Sequence, residues 1–552
     1  MVSDHVLRLG RGWTRDLLFL LPVIAFVALF ALLPAGILFG RSLASAGGLP
    51  ALRSAVVDPL NLKSIDNSLL QGGLSAALAL ALGYPAGVFV GRYSWRGRSL
   101  VRSLLLIPFL LPSLIVVFGV LDLFGPAGLV SSVLPPLAVF GSGLPGIVGA
   151  NLLFNVPIVI LFTASGCEAA SPELEETVLT LGGSPARAYI DTWGVPTWVG
   201  AAVGGLLTFL FSALSFAPPI LLCGPRCYTV EARIYTLAIA TFYSPDQAGL
   251  LGLAMVAVFL LPTVAYLFLL GRLRAQPGRR PAPVRPVPWR TVVGLSLAAV
   301  TAAVLLAEAS LLGAVLYRSL LPVGGGGVGS SFQHLFSPRT ATSLGISIPG
   351  AVLNTVLFAT AASAITLLLG IASGYAVARR PRRTRLIALV LFVPLLISPV
   401  VLAVALADFW QPVLGGPSTI WFLVIASQTV LALPFALQSI EIPLAGLDTI
   451  PSEAARSLGA NGWVAFLDTD LPRVRQGLAT AGLFAFALGL GEFTATNFLV
   501  QDGPQFVTLP VALYNLPRAR LADAAPAAAG LLLLLSLAVF LALSLGGRRV
   551  EL

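Results

Sequence analysis

The sequence predicts an all-α polytopic membrane protein of about twelve spans, arranged as two tandem six-span repeats. Three observations predict it. The 552 residues are 57% hydrophobic and only 10% charged, with a mean hydropathy of +0.94. Apolar runs recur along the chain, and roughly 20 such residues suffice to cross a hydrocarbon core. Polar landmarks of the first half return in the second at a nearly constant spacing. This composition excludes a soluble enzyme.

The first run covers 17 to 39 and follows Arg8, Arg11 and Arg15. Ala44-Ser45-Ala46 resembles a signal-peptidase site, but the run is longer than a secretory h-region of about 7 to 15 residues. An uncleaved anchor with a cytoplasmic N-terminus is therefore expected. Further runs lie at about 69 to 90, 103 to 123, 146 to 166, 197 to 221 and 248 to 270. Six more lie at about 292 to 316, 352 to 377, 386 to 409, 419 to 439, 477 to 499 and 525 to 545.

Arginine placement orients these spans, because short basic loops stay in the cytoplasm. Arg92, Arg96, Arg98 and Arg102 follow span 2, and Arg379, Arg380, Arg382, Arg383 and Arg385 follow span 8. The connection after span 6 carries Arg272, Arg274, Arg279, Arg280, Arg285 and Arg290 without an acid, and the chain ends near Arg548 and Arg549. Even-numbered connections are thus interior, and both termini are cytoplasmic. The net charge of +10 belongs to this topology, not to nucleic-acid binding. The Pro/Arg-rich stretch 271–290 reads as a linker between a first half, 1–270, and a second half, 291–552.

The halves are repeats. Asn67, Gly83, Gly87 and Pro112 recur as Asn354, Gly370, Gly374 and Pro399 at an offset of 287. Pro157, Glu176 and Gly182 recur as Pro434, Glu453 and Gly459 at 277, and Thr229 and Tyr235 as Thr508 and Tyr514 at 279. An even number of spans per half gives both copies one orientation, with a pathway expected between them.

Two interior loops are long and polar, 167–196 and 441–472. Each reads as two short helices around a turn. In the first, Ser171 can cap a helix opened by Pro172, with Glu173, Glu175 and Glu176 near its positive end. Gly182 or Gly183 ends it, and Ser184-Pro185 starts the next. In the second, Pro451, Ser452 and Glu453 open a helix, Gly459 closes it and Asn461 caps its successor.

Glu453-Ala454-Ala455, Gly459 and Leu471-Pro472 resemble the EAA loop of membrane subunits of binding-protein-dependent ABC importers. The first copy, with Glu176-Thr177-Val178, Gly182 and Val195-Pro196, is a degenerate version lacking the two alanines. The resemblance covers most of the chain and is nearest to fused two-half permeases of thiamine and ferric iron importers. It implies the type I ABC importer transmembrane fold. It also implies that Glu176, Gly182, Ser184, Glu453, Ala454, Ala455, Gly459 and Asn461 form the contact with the ATPase. A short helix held between two spans can transmit ATPase closure as a rigid-body motion.

The chain has no Walker A motif; its single lysine, Lys63, follows Leu62 instead of a glycine. Two separate ATP-binding-cassette subunits would therefore supply ATP and Mg, an extracytoplasmic substrate-binding protein would deliver cargo, and this chain itself would bind no cofactor. Two histidines and three cysteines suggest no metal centre, although Cys223 and Cys227 can form a local disulfide in an external loop. Pathway candidates are ionisable groups inside spans. Asp122 and Asp408, 286 apart, either make a cation-attracting mouth or end their helices in the headgroup zone. Glu492 aligns with Ser215, and Phe216 and Phe493 follow these two residues. These aromatics, with Phe124 and Trp410, either gate the pathway or sit as ordinary interfacial rings. Glu308 in span 7 reads as a packing or interfacial residue.

For cargo, Pro112-Ser113-Leu114-Ile115-Val116-Val117-Phe118-Gly119 with Phe124-Gly125 and Gly128 resembles thiamine permeases, with ferric iron close behind and polyamines or oxyanions as further options. Two other classes compete. A secondary transporter would use Glu492 or Asp408 to bind a coupling ion. A membrane-embedded enzyme would need a nucleophile, base or metal constellation that the sequence lacks.

Overall fold

A computed structural model describes residues 20–45, 47–105, 107–170, 172–239, 244–274, 285–321, 327–379, 391–445 and 447–547. Arg8, Arg11, Arg15, Ser171, Arg380 to Arg385, most of the linker, and Arg548 and Arg549 lie outside them.

The described residues are overwhelmingly helical. Among the described residues, nine helices are long and apolar enough to cross a membrane: Leu20–Ser45, Pro59–Arg92, Gly143–Glu168, Ala186–Ala213, Pro245–Leu273, Val292–Leu320, Ile348–Gly374, Ile420–Glu441 and Ala522–Ala542. These are spans 1, 2, 4, 5, 6, 7, 8, 10 and 12. Span 11 is a pair bent by 68°, Phe466–Arg473 and Gly477–Gly491. Spans 3 and 9 hold shorter apolar helices, Ser113–Phe124 and Pro399–Leu414. Pro112 is the residue just before the first of these helices and Pro399 is the first residue of the second, positions where the missing proline N–H costs no helical hydrogen bond.

Two compact units arise. One comprises Ala46–Thr340 with Leu513–Leu534, the other Met1–Ser45, Ala341–Ala512 and Leu535–Leu552. The repeats therefore exchange their opening spans. Span 1 packs on span 9 among the helices of the second repeat, and span 7 packs on spans 2 and 3 of the first.

Within each unit, glycines set the closest helix approaches. A Cβ on Gly83 would lie 2.7 Å from Val159, and one on Gly87 would lie 2.5 Å from Thr163, both in span 4. Their repeat partners face span 10, where a Cβ on Gly374 would lie 2.8 Å from Ile440. The repeated asparagines clamp the segments that follow spans 5 and 11. Asn67 donates to the Tyr228 carbonyl (3.0 Å), and Ser68 accepts from the Val230 N–H (3.0 Å). In the second copy Asn354 donates to the Val507 carbonyl (3.1 Å), and Thr355 accepts from the Leu509 N–H (2.8 Å).

Candidate functional site

The first polar loop folds into helices Pro172–Thr180 and Pro185–Tyr189, and the second into Ile450–Ser457 and Gly462–Ala465. Each is an elbow between two spans. The helix ends are chemically the same in both copies. Gly182 (φ 85°) and Gly459 (φ 96°) adopt the left-handed conformation that glycine reaches without a Cβ clash. The Gly182 N–H donates to the Leu179 carbonyl (3.1 Å) and Gly183 to Val178 (2.9 Å). Gly459 donates to Arg456 (3.1 Å) and Ala460 to Ala455 (3.0 Å). This crossed pair of bonds satisfies the last carbonyls of each helix and turns the chain back. The next helix is then capped. Ser184 Oγ accepts from the Arg187 N–H (3.3 Å), and Asn461 Oδ1 accepts from the Val464 N–H (2.9 Å).

The outward faces carry the predicted residues. Glu176, Glu453, Ala454, Gly182 and Gly459 are exposed, and Ala455 is half-buried. The inward anchor is a residue that sequence reasoning treated only as a dipole partner. Glu175 is buried, and its carboxylate accepts from Arg92 Nη2 (2.9 Å), Arg285 Nη1 (3.1 Å) and the Trp193 indole N–H. Arg92 in turn lies over the rings of Trp193 (4.7 Å) and Tyr189 (4.9 Å). Its place in the opening turn gave no sign of this, but an arginine at the end of span 2 and a tryptophan near the start of span 5 were available to pair with it. Glu168, ending span 4, also accepts from Arg98 (3.2 Å) and Arg102.

The membrane candidates fall into two settings. Asp408 is ion-paired with Arg41 of span 1 (2.8 Å), and the charge of Arg318 acts on Asp122. Arg318 also donates to the Ala127 carbonyl (2.5 Å). Arg41 and Arg318 are themselves 277 apart, a match that the reading by acids overlooked. Deeper in the first unit, Ser215 accepts from Asn151 Nδ2 (3.2 Å), which also donates to Gln71 Oε1 (2.6 Å). Asn155 donates to Ser212 Oγ (3.2 Å), so spans 2, 4 and 5 share one buried amide network. In the other unit Glu492 instead accepts from the backbone N–H groups of Ala495 (2.7 Å) and Thr496 (2.9 Å) and from the Thr496 hydroxyl. It follows the long helix that ends at Gly491 and holds the start of the next short helix, Thr494–Leu499. Phe216 and Phe493 are buried, and Phe216 packs on Tyr235 at 5.0 Å. Phe124 packs edge-on against Phe140 (6.0 Å), and Trp410 stacks on Phe30 (5.5 Å). Glu308 is buried in span 7. Cys223 and Cys227 form a disulfide.

No protein-family model matches the chain. The thiamine transport system permease protein ThiP of Escherichia coli is 27% identical to it over 503 residues, 88% of this chain and 89% of that protein. The protein of the same name from Brucella abortus is 25% identical over 509 residues, 88% of each chain. The molybdate/tungstate transport system permease protein WtpB of Pyrococcus furiosus is 25% identical over 248 residues, 45% of this chain but 92% of that protein.

Proposed function

We infer that this chain, which resembles the fused two-half permease subunits of binding-protein-dependent ABC importers over most of its length, carries thiamine inward across the plasma membrane by alternating access. The observation that carries the coupling half of this reading is the duplicated elbow. A helix, a left-handed glycine and a side-chain cap recur 277 residues apart, each with an outward glutamate. Generic interfacial loops have no reason to keep that register. Glu176, Gly182 and Ser184 in one copy, and Glu453, Ala454, Ala455, Gly459 and Asn461 in the other, would seat two ATPase subunits. Those subunits bind ATP and Mg, and a secreted binding protein delivers cargo. Arginine placement puts both elbows and both termini in the cytoplasm.

Thiamine is favoured over ferric iron because the relatives matched along both halves carry its name, whereas the molybdate/tungstate relative corresponds to one half. Uptake into proteoliposomes holding this chain, a companion ATPase and a secreted binding protein tests the reading. ATP-dependent accumulation of radiolabelled thiamine is expected, and Gly459→Val should abolish it while leaving the chain folded. Uptake of ferric iron in its place would overturn the cargo. Uptake driven by an ion gradient without ATPase would overturn the importer reading and favour a secondary transporter.

A further inference from the structure

The helix Pro172–Thr180 has nine residues, too few to hold its shape in isolation. Almost everything on it faces outward: Glu173, Leu174, Glu176, Thr177 and Leu179 are exposed. Glu175 is its inward anchor, and a buried carboxylate needs charged or hydrogen-bonding partners to stay there.

Those partners come from three places in the chain. Arg92 ends span 2 and Trp193 opens span 5, both beside the elbow in the fold. Arg285 comes from the far end of the inter-half linker, 110 residues from Glu175. Its segment is built into the same corner. Strand β1 (Tyr93–Ser94) pairs in parallel with β2 (Arg285–Pro286), with Tyr93 opposite Arg285. Ser94 Oγ donates to the Arg285 carbonyl (3.3 Å). Val287 is buried, and the Trp289 ring stands edge-on to Phe89 at 6.2 Å. Span 7 starts directly afterwards, at Val292.

We propose that Arg285 is a positioning residue for the first elbow, and that the returning linker is a strap fixing the angle at which that elbow meets its ATPase. The role deepens the coupling reading above and rests on it. The two arginines differ in a way that suits the division of labour. Arg92 is 12% exposed and enclosed by aromatic rings, whereas Arg285 is 39% exposed. Losing Arg285 leaves Glu175 paired, so the fold survives while the strap is released. The second elbow is built otherwise. At the positions equivalent to Glu175 and Trp193 it has the buried Ser452 and the half-buried Thr469, and among the described residues β1 and β2 form the only sheet. The strap thus belongs to the copy that lost its two alanines.

The test compares Arg285→Ala and Arg285→Lys in the full chain. Hydrogen exchange of 172–180 should rise about fivefold in Arg285→Ala, with 450–457 unchanged as an internal control, and return close to the original in Arg285→Lys. With a companion ATPase and magnesium-ATP, the chain's stimulation of hydrolysis should fall about threefold in Arg285→Ala and recover in Arg285→Lys. Unchanged exchange in 172–180 overturns the strap and leaves the coupling reading intact. Raised exchange with full stimulation overturns its role in coupling. If the unaltered chain stimulates no ATPase while Arg285→Ala still loosens 172–180, the coupling reading itself has failed.

Discussion

Arg41 at the end of the first span and Asp408 in the ninth are joined by an ion pair of 2.8 Å, although 367 residues separate them. The pair locks the opening span of one repeat onto the third span of the other. Trp410 adds a second tie by donating its indole N–H to the Leu29 carbonyl (3.1 Å), within the π-helical turn Ala28–Leu32. Arg318 and Asp122 are the equivalent residues of the opposite exchange.

Because Arg41 is 44% exposed, the pair is worth little in isolation, about 1 kcal/mol or less. Asp408→Asn should therefore lower the thermal midpoint of the purified chain only slightly. The reversed pair, Arg41→Asp with Asp408→Arg, should recover what either single reversal loses. A double variant no more stable than its singles would mean that the contact does not hold the span.

Removing an asparagine clamp should cost more. Asn67→Ala or Asn354→Ala leaves part-buried backbone carbonyls without their donor, a loss of about 0.5–1.5 kcal/mol each. Exchange should rise in 228–238 for the first variant and in 507–518 for the second, not in both. Delocalised exchange would contradict two independent clamps.

Helix approach makes a sharper comparison. Gly87→Ala places a methyl 2.5 Å from Thr163, whereas Gly149→Ala meets nothing within 4 Å. The first should destabilise by about 1–3 kcal/mol through overpacking. The second should be neutral or stabilising by up to about 1 kcal/mol, since alanine is the better helix former. Equal unfolding midpoints for the two variants would sink the packing account.

The Cys223–Cys227 bond gives a chemical test of sidedness, since disulfides persist only on the oxidising face. Chain isolated with thiols blocked, then denatured without reductant, should take up one alkylating group, on Cys167. After reduction it should take up three. Three groups before reduction would place that loop in the cytoplasm and invert the proposed topology.

Hydropathy made the long apolar helices legible, nine of them among the described residues, and the glycine and cap residues marked both elbows to within a residue. Ile450, one place ahead of the predicted start, opens the second helix. The helices Ser113–Phe124 and Pro399–Leu414 of spans 3 and 9 start at or directly after a proline that lies inside the apolar run. The anchor Glu175 was hidden for a simple reason. Three glutamates in one turn look alike along the chain, and only the arrival of Arg92, Trp193 and Arg285 tells one from the others.

The sequence by itself determined the polytopic helical class and the local chemistry of the turns, since each depends on neighbours close along the chain. Which unit the first and seventh spans join, where the linker returns, and which acid turns inward were decided by the tertiary structure. Those outcomes depend on pairing charges and small residues hundreds of positions apart, and apolar spans of similar composition carry no local mark of their partner.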